Sequence, residues 1–182
     1  MLRVWKVRKY TVFRGVVRGF TLLEMLAVLA ILAILLVLAI PSDGHFFSQS
    51  QTTVQLNMLI DELHFSRNEA ISRNEKLIFC KSVDGEKCGG AWRDGQVLLD
   101  PNGKVLRVFS ALPRKDNLVW NSSGGLNDFI AWSPSGYTNG QRGTFYYCTE
   151  SNVLNPQGVV LSDTGRPYIS SVSREEYAKY CR

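Results

Sequence analysis

The sequence predicts an α+β fold in which one long N-terminal helix packs on a small antiparallel β-sheet. An apolar run without charged side chains covers residues 25–40, and apolar residues then recur at helical spacing through residues 54–71. From residue 77 onward, short β-prone segments alternate with turns rich in Gly and Asn. About a hundred residues follow the helix, which is enough for one modest core and too few for two domains.

The first 19 residues form a basic leader. They contain six of the 21 basic residues and none of the 16 acids. The remaining chain therefore has 15 bases against 16 acids, a net charge near −1, although the whole chain carries +5. The basic excess belongs to the leader and does not indicate a nucleic-acid partner for the rest. Lys and Arg before an apolar run predict that the leader stays in the cytoplasm.

Residues 20–40 form an apolar segment close to the roughly 20 residues that a membrane-spanning helix needs. Its one charged residue is Glu24. A carboxylate at the edge of such a segment is costly unless something pairs with it, so we expect a functional role. A simple membrane anchor would explain the leader and the apolar run, but not Glu24.

The helix is predicted to be interrupted at Pro41 and Gly44 and then to resume until Arg73 or Asn74. Polar residues, among them Glu62 and Ser66, are expected on the solvent face. One apolar stripe should be buried on the sheet. Two sets of apolar positions show helical spacing: Val54 and Met58, and separately Leu56, Leu59, Ile60, Leu63, Ala70 and Ile71.

Strands are predicted where β-prone residues lie between turn signals. A hairpin turn at 101–104 joins two of them, and residues 174–182 predict a helical turn or a tail. The predicted strands are 77–80, 96–100, 105–109, 118–120, 129–132, 143–148, 158–162 and 168–170.

All four cysteines follow the apolar run, so they face the periplasm, where disulfides form. Four cysteines allow three pairings. We favour the two sequence-local pairs, Cys80–Cys88 and Cys148–Cys181. A metal site is disfavoured because the sequence has no Cys-x-x-Cys pair and no Cys/His cluster.

The sequence shows no pattern of catalytic residues. His45 and His64 have no acid or nucleophile at a recognisable spacing, and residues 100–104 form a hairpin turn rather than a phosphate-binding loop. The aromatic residues Trp92, Trp120 and Trp132 are expected in the core or on a sheet face rather than in a ligand platform. We therefore predict a protein that is not an enzyme and needs no cofactor or metal.

The stretch Gly19-Phe20-Thr21-Leu22-Leu23-Glu24 resembles the processing motif of type IV pilins and type II secretion pseudopilins. The resemblance implies that prepilin peptidase cleaves between Gly19 and Phe20, that Phe20 is N-methylated, and that Glu24 acts in assembly. It also implies a pilin fold with four parts: a leader (1–19), a transmembrane and assembly helix (20–40), a periplasmic half of the helix (41–75) and a β-rich periplasmic domain (76–182).

Two later stretches, residues 64–74 and 132–166, resemble the FimT/FimU minor pilins and the type II secretion pseudopilin H. This implies a minor pilin that assists initiation and assembly at the pilus tip, with pseudopilin H as an alternative. The implied partners are other major and minor pilins and the inner-membrane assembly platform. The implied location is the inner membrane, as a single-pass protein with a periplasmic C-terminal domain, and the pilus after assembly.

A third role concerns DNA. FimT-type proteins bind DNA through a Gly-Arg-x-Arg loop, and this chain has Gly165-Arg166-Pro167-Tyr168, so the second arginine is replaced by a tyrosine. Arg166 could neutralise a phosphate, and Tyr168 could stack on an unpaired base. The alternative is a structural turn leading into the last strand, with Arg166 solvated or paired with Asp163.

Overall fold

The computed structural model describes residues 19–39, 44–113, 116–149 and 155–181. The rest of the leader and the predicted interruption at Pro41 lie outside these ranges. The chain divides into two compact units, Met1–Ser42 and Asp43–Arg182.

The first unit contains helix α1, Leu22–Ala39. Thr21 caps its N-terminus: the Glu24 amide donates to Thr21 Oγ1 at 3.3 Å, and the Met25 amide donates to the Thr21 carbonyl at 3.2 Å. The predicted transmembrane segment, residues 20–40, includes this helix. Within the described ranges, no helix combines the length and the apolar character that crossing a membrane requires.

The second unit begins with helix α2, Gly44–Arg73, which ends where the sequence predicts. Asn74 follows it in the left-handed conformation, with φ at 52°. The Asn74 amide donates to the Ile71 carbonyl and the Glu75 amide to the Ala70 carbonyl, both at 3.2 Å. This pattern is a Schellman motif, and asparagine tolerates the positive φ that the motif needs.

The buried stripe of α2 follows the second of the two predicted apolar sets, except that Ile60 is half-buried and Ile71 is 41% exposed. Val54 and Met58, the first set, are 52% and 46% exposed. Ser66, predicted on the solvent face, is instead fully buried, because its hydroxyl donates to the Glu62 carbonyl at 2.8 Å and so needs no water. The buried residues of α2 are Thr52, Leu56, Leu59, Leu63, Ser66 and Ala70.

Eight antiparallel strands form two four-stranded sheets rather than the single sheet predicted. The first sheet has the order β3-β2-β1-β5 and the second the order β4-β6-β7-β8. The strands are β1 (Leu77–Lys81), β2 (Gln96–Leu99), β3 (Val105–Phe109), β4 (Asn117–Ser122), β5 (Phe129–Trp132), β6 (Gly143–Cys148), β7 (Gln157–Leu161) and β8 (Pro167–Ser171).

The second sheet arises because β4 and β5 pair with different partners. Trp120 of β4 lies opposite Phe145 of β6, whereas β5 returns to the first sheet and places Ile130 opposite Phe79 of β1. The prediction of one sheet is therefore wrong. Apolar residues at every second position identify a strand, but this alternation carries no information about which strands pair across long sequence separations.

The two sheets and α2 enclose one hydrophobic core. Trp92, Trp120 and Trp132 are buried in it, as predicted. The Phe145 ring lies at its centre, with ring centroids 5.1 Å from Trp92 and 4.4 Å from Trp120. Trp92 belongs to a 3₁₀ helix, Trp92–Asp94, between β1 and β2.

The free edge of β5 is covered by one buried side chain, Gln141. Its Oε1 accepts the Ala131 amide at 2.7 Å, and its Nε2 donates to the Phe129 carbonyl at 3.1 Å. The amide group thus takes the place of a neighbouring strand, which protects the edge from pairing with another chain.

The structure joins Cys80 to Cys88 and Cys148 to Cys181, the two local pairs. The second bond ties the end of β6 to helix α3, Arg174–Tyr180, where the sequence allows a helical turn or a tail. Helix α3 lies on the outer face of the second sheet, where the Tyr146 and Tyr180 rings stack at 4.6 Å.

We expect removal of the Cys148–Cys181 bond to destabilise the protein more than removal of Cys80–Cys88. The loops they close span 33 and 8 residues. The loss of chain entropy in the unfolded state then stabilises the fold by about 4 kcal/mol for Cys148–Cys181 and about 2.5 kcal/mol for Cys80–Cys88. Double alanine variants compared by urea unfolding of the full chain check the order. Equal midpoints for the variants and the parent, or a Cys80–Cys148 link in non-reducing peptide maps, would contradict the pairing.

Candidate functional site

The predicted processing segment lies directly before α1. Gly19 and Phe20 are both exposed, Phe20 to 76%. Glu24 sits in the first turn of the helix, and only its backbone amide takes part in the Thr21 cap. None of the described residues offers its carboxylate a hydrogen bond or an ion pair. The exposed carboxylate is thus available to a group from another molecule.

The predicted DNA loop is a tight turn between β7 and β8, spanning residues 162–166. The Ser162 hydroxyl accepts the Arg166 amide at 3.2 Å and donates to the Arg166 carbonyl at 3.1 Å. Gly165 adopts a φ of +73°, and its amide donates to the Ser162 carbonyl at 2.9 Å. The glycine is required because other residues rarely adopt this conformation.

A second turn, residues 133–137 after β5, repeats this hydrogen-bond pattern. The Ser133 hydroxyl accepts the Tyr137 amide and donates to the Tyr137 carbonyl, both at 3.0 Å. Gly136 takes the place of Gly165, with a φ of +78°. The shared sequence is Ser-x-Ser/Thr-Gly-x, in Ser-Pro-Ser-Gly-Tyr and Ser-Asp-Thr-Gly-Arg.

The two turns pack directly against each other. A methyl group on Gly165 would lie 2.1 Å from the Gly136 carbonyl oxygen and 2.7 Å from the Trp132 ring. Arg67 of α2 reaches the same point, where its Nε donates to the Gly136 carbonyl at 3.0 Å. The helix and both turns therefore meet at a contact that leaves no room for a side chain on Gly165.

Arg166 and Tyr168 are exposed on the same side of the chain, with the buried Pro167 between them. Tyr168 is 52% exposed, and Tyr137 of the neighbouring turn is 51% exposed. The expected structural turn is present, and Arg166 follows the first of its two expected alternatives: it is exposed, while Asp163 pairs with Arg142 at 3.4 Å. Both partners of that pair are at least half exposed, so it contributes little to stability.

The family comparison agrees with this architecture. The family model described as type II transport protein GspH matches residues 55–165, more than half of the chain. The chain belongs to the GspH family. The model of the prokaryotic N-terminal methylation motif matches residues 15–40 of this GspH-family chain, which implies processing by prepilin peptidase. No curated protein is significantly similar to it in sequence.

Solved structures share the fold of the GspH-family chain. The type IV minor pilin FimU of Pseudomonas aeruginosa PAO1, in space group P21, is 15% identical with a TM-score of 0.54. The alignment covers 75% of this chain and 99% of that one. The same minor pilin in space group P65 is 15% identical over 71% of this chain and 99% of its own, with a TM-score of 0.51. At this identity the similarity establishes the pilin fold.

Sequence reasoning identified Arg166 and Tyr168 but missed Arg67, Tyr137 and the pairing of the two turns in this GspH-family chain. The repeated Ser-x-Ser/Thr-Gly pattern was a usable signal for two similar turns. No sequence pattern indicates that Gly165 and Gly136 touch, because they approach each other only after β5 and β7 enter different sheets.

We expect Gly165→Ala to destabilise the protein more than Gly103→Ala. Both glycines have a positive φ, +73° and +79°, but nothing lies within 4 Å of a methyl group at Gly103. Gly103→Ala should therefore lower the free energy of unfolding by about 1–2 kcal/mol, because alanine is strained at a positive φ. Gly165→Ala should lower it by about 1–3 kcal/mol more, because its methyl group also clashes with its neighbours. Urea unfolding of the two variants measures the difference. Equal losses would show that the turns do not pack as described.

Proposed function

We propose that this GspH-family protein is a non-catalytic minor pilin that assists the initiation and assembly of a type IV pilus at its tip. The single observation behind the proposal is the exposed, unpaired Glu24 carboxylate within an N-terminal methylation motif. An apolar helix with one free carboxylate near its start suits docking against other helices better than chemistry on a substrate.

In this proposal, cleavage after Gly19 creates a free amine on Phe20. The Glu24 carboxylate of one subunit then pairs with the Phe20 amine of a neighbour, which fixes the axial position of the two subunits. The pair strengthens in a bundle of apolar helices because the surroundings screen charge poorly. An unpaired Glu24 in the same bundle would be strongly unfavourable, so correct stagger is favoured over other arrangements.

The proposal places the protein in the inner membrane before assembly, with its C-terminal domain in the periplasm, and in the pilus afterwards. The basic leader and the two disulfides support this orientation. The partners are prepilin peptidase, other major and minor pilins and the assembly platform. A pseudopilin H role in type II secretion uses the same features, and neighbouring genes of a pilus or secretion operon would separate the two.

We expect Glu24→Ala to keep the mature N-terminus but to reduce incorporation into pili. A buried charge left without its partner costs about 3–5 kcal/mol, enough to lower recovery in sheared pili to below about a tenth. Immunoblots of sheared pili measure the recovery.

Glu24→Gln is the matched control, since it keeps the shape of the side chain and removes the charge, and it should fail like Glu24→Ala. A bulky substitution of Gly19 should fail differently, by accumulating the unprocessed chain. Wild-type recovery of Glu24→Ala would exclude the assembly role of Glu24.

A second candidate function is DNA binding by the pilus. It is favoured by the exposure of Arg166 and Tyr168 on one side of the chain, next to the exposed Tyr137. A single arginine supplies one phosphate contact, and aromatic rings add stacking on unpaired bases. The mature chain has a net charge near −1, so any DNA affinity would depend on this local surface.

For this second function, we expect weak, salt-sensitive binding of a labelled DNA that falls with Arg166→Gln. Loss of one phosphate contact should reduce the slope of log affinity against log salt by about one. Fluorescence anisotropy measures both, with the mature chain from Phe20 in detergent, because the leader with its six basic residues would itself bind DNA. Lys104→Gln, in the turn between β2 and β3 of the first sheet, is the control and should change neither. No binding at low salt would remove the DNA role and leave the assembly role untouched.

A further inference from the structure

A groove runs beside α2 that neither the processing segment nor the 162–166 turn uses. Its deepest part is a cavity of about 300 Å³ between α2, β2 and the four residues after β3, Ser110 to Pro113. A shallower extension continues past Met58 and Glu62 along the edge strand β3. The walls of the cavity are mainly apolar: Leu56, Met58, Leu59, Leu112, Pro113 and Leu118.

Glu62 lines both the cavity and its extension. Its side chain is largely buried, and none of the described residues gives its carboxylate a hydrogen bond or a salt bridge. Burial raises the pKa of Glu62 to about 7; Arg107 partly opposes this shift and Asp61 adds to it. A carboxylate in an apolar wall without a partner is unfavourable within the isolated chain.

The nearby cation, the guanidinium of Arg107, does not pair with the Glu62 carboxylate. The Arg107 guanidinium lies over the Phe65 ring, 4.5 Å from its centroid, and 5.8 Å from the centroid of Phe109. Arg107 is thus held by two aromatic rings and forms no ion pair with Glu62 within 4 Å among the described residues. The opening of the groove therefore combines an unpaired acid with apolar walls.

Other titratable groups also lie around the groove. Tyr147 of β6 donates its hydroxyl to Asp116, and burial raises the pKa of Tyr147 above its usual value, so it stays protonated. Asp61 of α2 is exposed and lines the extension of the groove. The remaining polar lining, Gln55, Gln96 and Ser110, carries no charge.

We propose that this groove is a docking site for a partner protein, and that it receives a lysine or arginine side chain whose charged end pairs with Glu62. The methylene stem of such a side chain would lie on Met58 and Leu59, and apolar neighbours in the partner would cover Leu112 and Pro113. The occupant is chosen by charge complementarity: the cavity is lined by the largely buried Glu62, which has no partner among the described residues, and the extension adds the exposed acid Asp61. These acids beside apolar walls suit a long side chain with an apolar stem and a cationic end.

The test uses the full chain in detergent micelles and two fluorescent, end-blocked peptides, Ala-Leu-Lys-Leu-Ala and Ala-Leu-Gln-Leu-Ala. At about pH 8 Glu62 is ionised, and we expect the lysine peptide to bind about tenfold more tightly than the glutamine peptide. At about pH 5.5 Glu62 is protonated, since its pKa is raised, and the preference should disappear. Fluorescence anisotropy measures the four affinities.

Glu62→Gln should abolish the preference at both pH values, whereas Glu75→Gln, at an exposed acid beyond the end of α2 that does not line the groove, should keep it. Glu62→Gln should also unfold at the same or higher urea concentration than the parent at about pH 8, because the protein no longer buries a charge. If Glu62→Gln remains folded and loses the preference for the lysine peptide, the loss therefore comes from the changed groove and not from unfolding.

Three outcomes would overturn the proposal. Equal affinity of the two peptides at about pH 8 would show that Glu62 does not select a cation. Binding of hexylammonium as tightly as the lysine peptide would indicate a small-cation site without a protein partner. Self-association of the parent chain that Glu62→Gln removes, without peptide binding, would make the occupant a second copy of this chain.

Discussion

The burial of one stripe of α2 is the constraint on which the second unit, Asp43–Arg182, depends. Both sheets close over the same side chains of the helix, with Leu56 and Leu63 fully buried at its centre. Fully burying a leucine stabilises a fold by about 1.5–3 kcal/mol. The stripe therefore positions the two sheets even though they share no hydrogen-bonded strand pair.

The same helix also connects the core to the candidate binding turns. Ser66 can be buried within the stripe because its hydroxyl donates a hydrogen bond to the Glu62 carbonyl. The next residue, Arg67, lies beside the stripe and donates a hydrogen bond to the Gly136 carbonyl. The turns at 133–137 and 162–166 are therefore held in place by their contact with Arg67 of α2. Any partner that contacts Arg166 or Tyr137 meets a surface fixed by the core rather than a free loop.

Two carboxylates have no hydrogen-bonded or ion-paired partner among the residues that the structure describes, and both carry the proposals made above. Glu24 and Glu62 are both carboxylates beside apolar surface, one on α1 and one on α2. For the largely buried Glu62, a missing partner costs stability that a neutral residue would not lose. Under the two proposals, a cation from another protein pairs with each carboxylate, so association depends on charge as well as on apolar contact.

The sequence by itself determined the elements and the family of this protein. Periodicity located α2 and the strands, spacing favoured the two local disulfide pairs, and the Gly19–Glu24 stretch indicated the pilin-like class, because these signals are local in the chain. The tertiary structure alone decided the division into two sheets, the contact between Gly136 and Gly165, and the position of Glu62 in a groove. Each of these depends on which distant segments pack together, and β5 pairs with β1 across some fifty residues without any local signal for that choice.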